Sequence, residues 1–120
     1  MSPAPFAFAL ALVLAAPLAI AQTQTAYEGS SYGTGSGKCS GYKMGVHVTL
    51  AGDQVDGTFQ QEGRTQREFH AKAGADGSFK TEAQVGGGGT MNVSGAVGPN
   101  GGRVLLDGYC RFETALARAK

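Results

Sequence analysis

Few side chains in this sequence have the types and spacing that chemistry requires. The candidates are two cysteines (Cys39 in GKCSGYK and Cys110 in DGYCRF), two histidines (His47 and His70), and the glutamates Glu68 and Glu82. A thiol oxidoreductase would want a Cys-x-x-Cys motif, which is absent. Two distant cysteines with no neighbouring cysteine or histidine make a poor metal grip. In an exported chain the pair is expected as one disulfide, Cys39–Cys110. Closing about 70 residues would contribute roughly 4 kcal/mol in the loop-entropy account. His47 and His70 fall on the outward side of strands two apart, about 9.5 Å at the usual strand spacing. Thr58 is expected between them and Lys80 beyond. Zinc needs three or four converging ligands, and no third falls in that row, so they read as solvated surface histidines. Glu68 and Glu82 are expected as cross-strand neighbours. Acid–base work by such a pair needs burial that separates the two pKa values, and an exposed sheet implies no cleft. Asp56 and Lys72 are expected as a weak surface pair, worth a few tenths of a kcal/mol.

The glycine-rich motifs are equally bland. VGGGGTM (85–91) lacks the following helix and the lysine of a phosphate loop and reads as a hairpin turn. AGADGSF and GDQVDG lack the alternating acids and closing glutamate of a calcium loop. The NVS sequon at 92–94 lies inside a predicted strand. No Ser-His-Asp or Cys-His set can be assembled. No catalytic, cofactor-binding or metal-binding residue is therefore assigned, and the chain is expected to be non-enzymatic.

The elements that carry these residues read as strands. In YKMGVHVTL, Tyr42, Met44, Val46, Val48 and Leu50 share one parity, while Lys43, His47 and Thr49 take the other. That alternation marks a strand with one buried face. Later runs put Val55, Gly57 and Phe59 inward, then Phe69, Ala71 and Ala73, then Phe79, Thr81, Ala83 and Val85. Met91, Val93, Gly95 and Val97 follow, then Val104 and Leu106, and last Cys110, Phe112, Thr114 and Leu116. Gly/Asn/Asp turns separate them. About seven or eight short strands at this spacing predict an all-β, antiparallel up-and-down meander closing into a small barrel or flattened sandwich. The parities suggest a register with Leu50 opposite Val55, Phe59 opposite Phe69, and Ala71 opposite Phe79. A one-residue slip would expose the phenylalanines. A filled core is expected. Cys39 and Cys110 then meet where the first and last strands adjoin.

Residues 1–21, MSPAPFAFALALVLAAPLAIA, read as a signal peptide ending in the small-x-small triplet Ala19-Ile20-Ala21. No Lys or Arg precedes the apolar run, so an uncleaved anchor is the alternative. Pro17 interrupts the run, and its length is near the lower limit for a span. Residues 22–38 read as a Gly/Ser-rich leader or a weak first strand, and 39–120 as the β-meander domain. The 120-residue chain carries a net charge of +1 with both signs scattered, which indicates neither a nucleic-acid arm nor a polybasic membrane patch.

The stretches YEGSSYGTGSGKCSGY, VDGTF, GADGSF, VSGAV and GYCRFETALAR together resemble small exported β-meander proteins of Gram-negative bacteria, a largely uncharacterised group. More loosely, the chain looks like periplasmic lysozyme or protease inhibitors, which are also barrels with one disulfide. No inhibitory motif accompanies that likeness. The expectation is a periplasmic or secreted, non-enzymatic β-barrel acting as a binding or envelope-associated module. Its partner would be a protein or envelope component, with no nucleic acid, no cofactor and no membrane span after signal cleavage. One alternative is an inhibitor of an envelope-degrading enzyme, acting through loop 33–38 (GTGSGK) or 86–90 (GGGGT). The other is a small-ligand carrier, which needs a cavity.

Overall fold

A computed structural model of the protein describes residues 23–120, so the expected signal segment lies outside the described residues. The chain forms eight strands: β1 (Gln24–Tyr32), β2 (Lys43–Ala51), β3 (Gln54–Gln61), β4 (Arg67–Lys72), β5 (Ser78–Gln84), β6 (Thr90–Gly98), β7 (Gly101–Asp107) and β8 (Arg111–Arg118). They make one antiparallel sheet in the order β4-β3-β2-β1-β8-β7-β6-β5, curled into a nearly closed barrel. The expected all-β meander is thus what the chain adopts.

Segment 22–38 supplies a full strand rather than a leader. All nine residues of β1 pair with β2, from Gln24 opposite Ala51 to Tyr32 opposite Lys43. The other edge of β1 meets β8 through Tyr27–Arg118 and Glu28–Ala117, and a bridge between Thr34 and Arg111 continues the same register. That register sets Ser31 against Thr114, whose hydroxyls share a hydrogen bond at 2.7 Å. Among the described residues Thr114 is the one buried polar residue, and this contact satisfies it. Gly29 lies where β8 passes closest: a Cβ there would collide with the Ala115 carbonyl oxygen.

The β2–β3 register is the expected one, with Leu50 opposite Val55, Val48 opposite Gly57 and Val46 opposite Phe59. The β3–β4 register differs by two residues. Gly57, not Phe59, lies opposite Phe69, and Phe59 lies opposite Arg67. Parity is preserved, so the same side chains stay inside. The Phe69 ring covers the bare face of Gly57, where any Cβ would strike it. Side-by-side Phe59 and Phe69 would leave that space unfilled. Asp56 consequently faces His70, and the expected Asp56–Lys72 pair does not form; Lys72 instead reaches Asp53 at 3.7 Å.

The expected β4–β5 ladder is also absent, and these strands are the two free edges of the sheet. The turn between them closes through Gly74 N–H to Ser78 O, and Ser78 donates its own N–H and hydroxyl to the Asp76 carboxylate. A ladder continued from that turn would set Lys72 opposite Lys80, a destabilising like-charge pair. The inner faces still meet across the gap, where Phe69 stacks on Phe79 with ring centroids 6.1 Å apart. Alternating charges on β4 and β5 also discourage edge-to-edge aggregation.

All four phenylalanines among the described residues (Phe59, Phe69, Phe79 and Phe112) are buried in one core with Val46, Val48, Val55, Val93, Val104 and Leu106. The barrel middle is filled by side chains, as a barrel of eight strands allows.

Candidate functional site

The up-and-down path sorts the loops. Those after β1, β3, β5 and β7 gather at one end, and the hairpin turns after β2, β4 and β6 at the other. The first end is the more elaborate, and Cys39–Cys110 lies there with the two Cα atoms 5.5 Å apart. The expected disulfide therefore forms. It joins the β1–β2 loop to the start of β8, beside the Thr34–Arg111 bridge, and so staples the barrel seam.

Above the filled core, this end opens as a concavity of about 640 Å³. Its apolar lining comes from Tyr42, Met44, Phe59, Val85, Met91 and Phe112. These are the last inward positions of five strands or their flanks, where alternation runs past the filled middle of the barrel. Its polar lining includes Gln61, Thr65 and Thr90, with Arg64 and Arg67 the only charged side chains. Small-molecule seats typically have this size and this mixture of apolar walls with a few convergent polar groups. Gly86 and Gly87 form part of the rim, with Gly87 and the following Gly88 at positive φ. Tyr109 projects beside it, 81% exposed.

The histidines and acids expected on the outer face are there, but arranged differently. Because of the register shift, His70 Nδ1 lies 2.6 Å from Asp56 Oδ1, and its Nε2 lies 3.4 Å from Glu68 Oε1. The hydrogen bond to Asp56, and then that to Glu68, raises the imidazole pKa above its ordinary 6.5. The same contact, helped by the Gln54 amide, holds the Asp56 carboxyl below its ordinary 3.8. His47 lies 3.8 Å from Glu28 instead. The row therefore contains acids that sequence spacing missed. Even so, among the described residues no three His, Cys, Asp or Glu side chains converge as metal ligands. The groups are well exposed, which leaves the ion pairs screened and weak.

Glu68 and Glu82 flank a cleft of about 480 Å³ between the free edges, floored by Phe69 and Ala83. The sheet was expected to carry no such cleft; it opens because β4 and β5 do not pair. Both carboxylates stand exposed at its rims. Loops 33–38 and 86–90 lie at the disulfide end, and residues 34–38 are exposed throughout. No family model, curated protein or solved structure matches this chain. Of the residues lining the concavity, Arg64 and Arg67 carried no assignment from sequence, and Met91 read only as an inward position. The available signal was Arg67, a charge standing on the inward parity of Phe69 and Ala71.

Proposed function

We propose that the protein is a non-enzymatic, periplasmic or secreted binding module whose ligand seat is the mouth of the barrel rather than its lumen. The supporting observation is the concavity of about 640 Å³ with its apolar floor, held at the end that the Cys39–Cys110 disulfide staples. A filled middle argues against a carrier that encloses its cargo. An open mouth suits one that seats part of a ligand and leaves the rest in water. The disulfide fits an oxidising compartment. The test is titration of the mature chain with the neutral fluorophore N-phenyl-1-naphthylamine. Saturable enhancement is expected, and it should be lost in a folded Met91→Lys variant, which sets a charge on the floor. A folded native protein that gives no enhancement would refute the seat.

A second reading is inhibition of an envelope-degrading enzyme by loop 33–38. It is favoured by the way that loop is held: exposed over residues 34–38, yet tied by the Thr34–Arg111 bridge at one end and Cys39–Cys110 at the other. A loop presented in a fixed shape loses little entropy on binding. Slowed lysozyme or protease turnover at micromolar protein supports this reading, and an unaffected broad panel removes it.

A further inference from the structure

We infer that the mouth takes an amphiphile with one anionic head, its apolar body on the floor and its head clasped by Arg67 and Arg64. This rests on the reading of the mouth as a ligand seat and goes on to fix the ligand's chemistry.

Arg67 occupies an inward position at the end of β4, directly across from Phe59. The next inward residues of that strand are Phe69 and Ala71, both apolar. Arg67 as a residue is half-buried on this otherwise apolar face, where an uncompensated charge is unfavourable. Arginines in such positions normally meet a carboxylate. Among the described residues, neither Arg67 nor Arg64 enters an ion pair, and neither guanidinium makes a side-chain hydrogen bond within the barrel mouth. No carboxylate lines the concavity at all.

The other wall comes close to the guanidinium. Gly86 faces it, and a Cβ there would lie 3.0 Å from Arg67 Nη2. Arg64 is carried by the neighbouring β3–β4 loop, whose turn is anchored by Arg64 N–H to Gln61 O at 2.8 Å and by Gln60 Nε2 to Arg64 O at 2.7 Å. The planar fork of Arg67, with the exposed Arg64 also on the rim, matches the in-plane oxygens of a carboxylate or phosphate, which a lysine would meet only as a point charge. The loops and strand ends of this end carry Lys38, Lys43 and Arg111 as well, against Glu62 and Asp107, while the acids Glu68 and Glu82 stand on the neighbouring cleft that Arg67 also lines.

The experiment uses the mature, disulfide-bonded protein loaded with N-phenyl-1-naphthylamine and follows displacement below each competitor's micellar concentration. The competitors share a twelve-carbon chain: dodecanoate, dodecyl phosphate, dodecanol and dodecyltrimethylammonium. At least one anion should displace the probe tenfold or more better than dodecanol, and the cation should be the poorest of all. Which anion is stronger identifies the head as carboxylate or phosphate. Arg67→Gln should lower the anion's advantage over dodecanol, each measured in the same variant, about tenfold with the circular dichroism spectrum unchanged, since a charge-assisted hydrogen bond typically contributes that much. Arg64→Gln should give a smaller loss. If the neutral probe binds but dodecanol competes as well as both anions, or if Arg67→Gln keeps the full anion preference, this inference is wrong while the seat stands. If the neutral probe never binds, both fall.

Discussion

Replacing Gly57 by alanine tests the register that positions the whole β4 side of the barrel. A Cβ at this position would sit against three ring atoms of Phe69, namely Cζ, Cε2 and Cε1, the last at 2.7 Å. A lone ring tip can swing aside cheaply, but this ring is held. Phe69 is 1% exposed and packs between Phe59, at 6.2 Å between centroids, and Phe79, at 6.1 Å. Moving it means moving the core. Overpacking of this kind costs about 1–3 kcal/mol. Glycine-to-alanine changes at compatible sites stabilise by about 0.4–1 kcal/mol through the unfolded chain, so a net loss would reflect a still larger clash. Urea and thermal unfolding followed by circular dichroism should show it, with the melting temperature falling by about 4–8 °C for each kcal/mol. Phe69→Leu supplies the control. With the ring removed, the new methyl occupies vacated space, and the alanine should cost at least about 1 kcal/mol less than in the native background, within the range measured for contacting pairs. Had Phe59 lain opposite Phe69, residue 57 would face Ala71 and accept a methyl freely. Gly57→Ala within about 0.5 kcal/mol of native, or equally costly with and without the ring, would refute the Gly57–Phe69 packing.

Two further outcomes follow from the seam and the outer face. Cys39→Ala/Cys110→Ala releases a cross-link over 71 residues, for which loop entropy gives a loss of about 4 kcal/mol; denaturant titration should show a large fall in midpoint, and an unchanged midpoint would mean that the Thr34–Arg111 bridge closes the seam unaided. NMR titration should place the His70 midpoint above 6.5 and return it towards that value in Asp56→Asn, because the Asp56 hydrogen bond is the leading cause of the rise. A raised imidazole pKa stabilises the fold fully below 6.5, and that contribution is lost as pH climbs through the folded midpoint; a lowered Asp56 pKa acts above 3.8 and is lost as pH falls through its folded value. The pair's small contribution is therefore largest between those limits, and an identical midpoint in native and Asp56→Asn protein would overturn it.

How much of this was readable in the sequence depended on what each turn constrains. Alternation gives the buried face and therefore the parity of every strand, and the buried phenylalanines follow directly. It fixes register only modulo two residues, because a shift of two keeps every side chain on its face. The β2–β3 turn spans Gly52 and Asp53 alone, so its length supplies the missing information and the register was readable. The β3–β4 connection runs from Glu62 to Gln66, long enough to accept either register, and only the fit of Phe69 over Gly57 decides. β1 was obscured for a different reason. Tyr27 is its only buried side chain, so little apolar alternation marks it. It is a strand because both of its edges find partners, which local sequence does not display.

The mouth was hidden by the same regularity that revealed the barrel. A pattern of inward residues says that a core exists without saying where along the barrel axis packing stops, so Met44, Phe59 and Phe112 read as core alone although they also floor the concavity. The break in the pattern is Arg67, which follows the parity of Phe69 into an otherwise apolar face. In a filled barrel a guanidinium there would lack compensation. At an open end it can reach water or an anion. The charge in phase with the core thus marks where the filling ends.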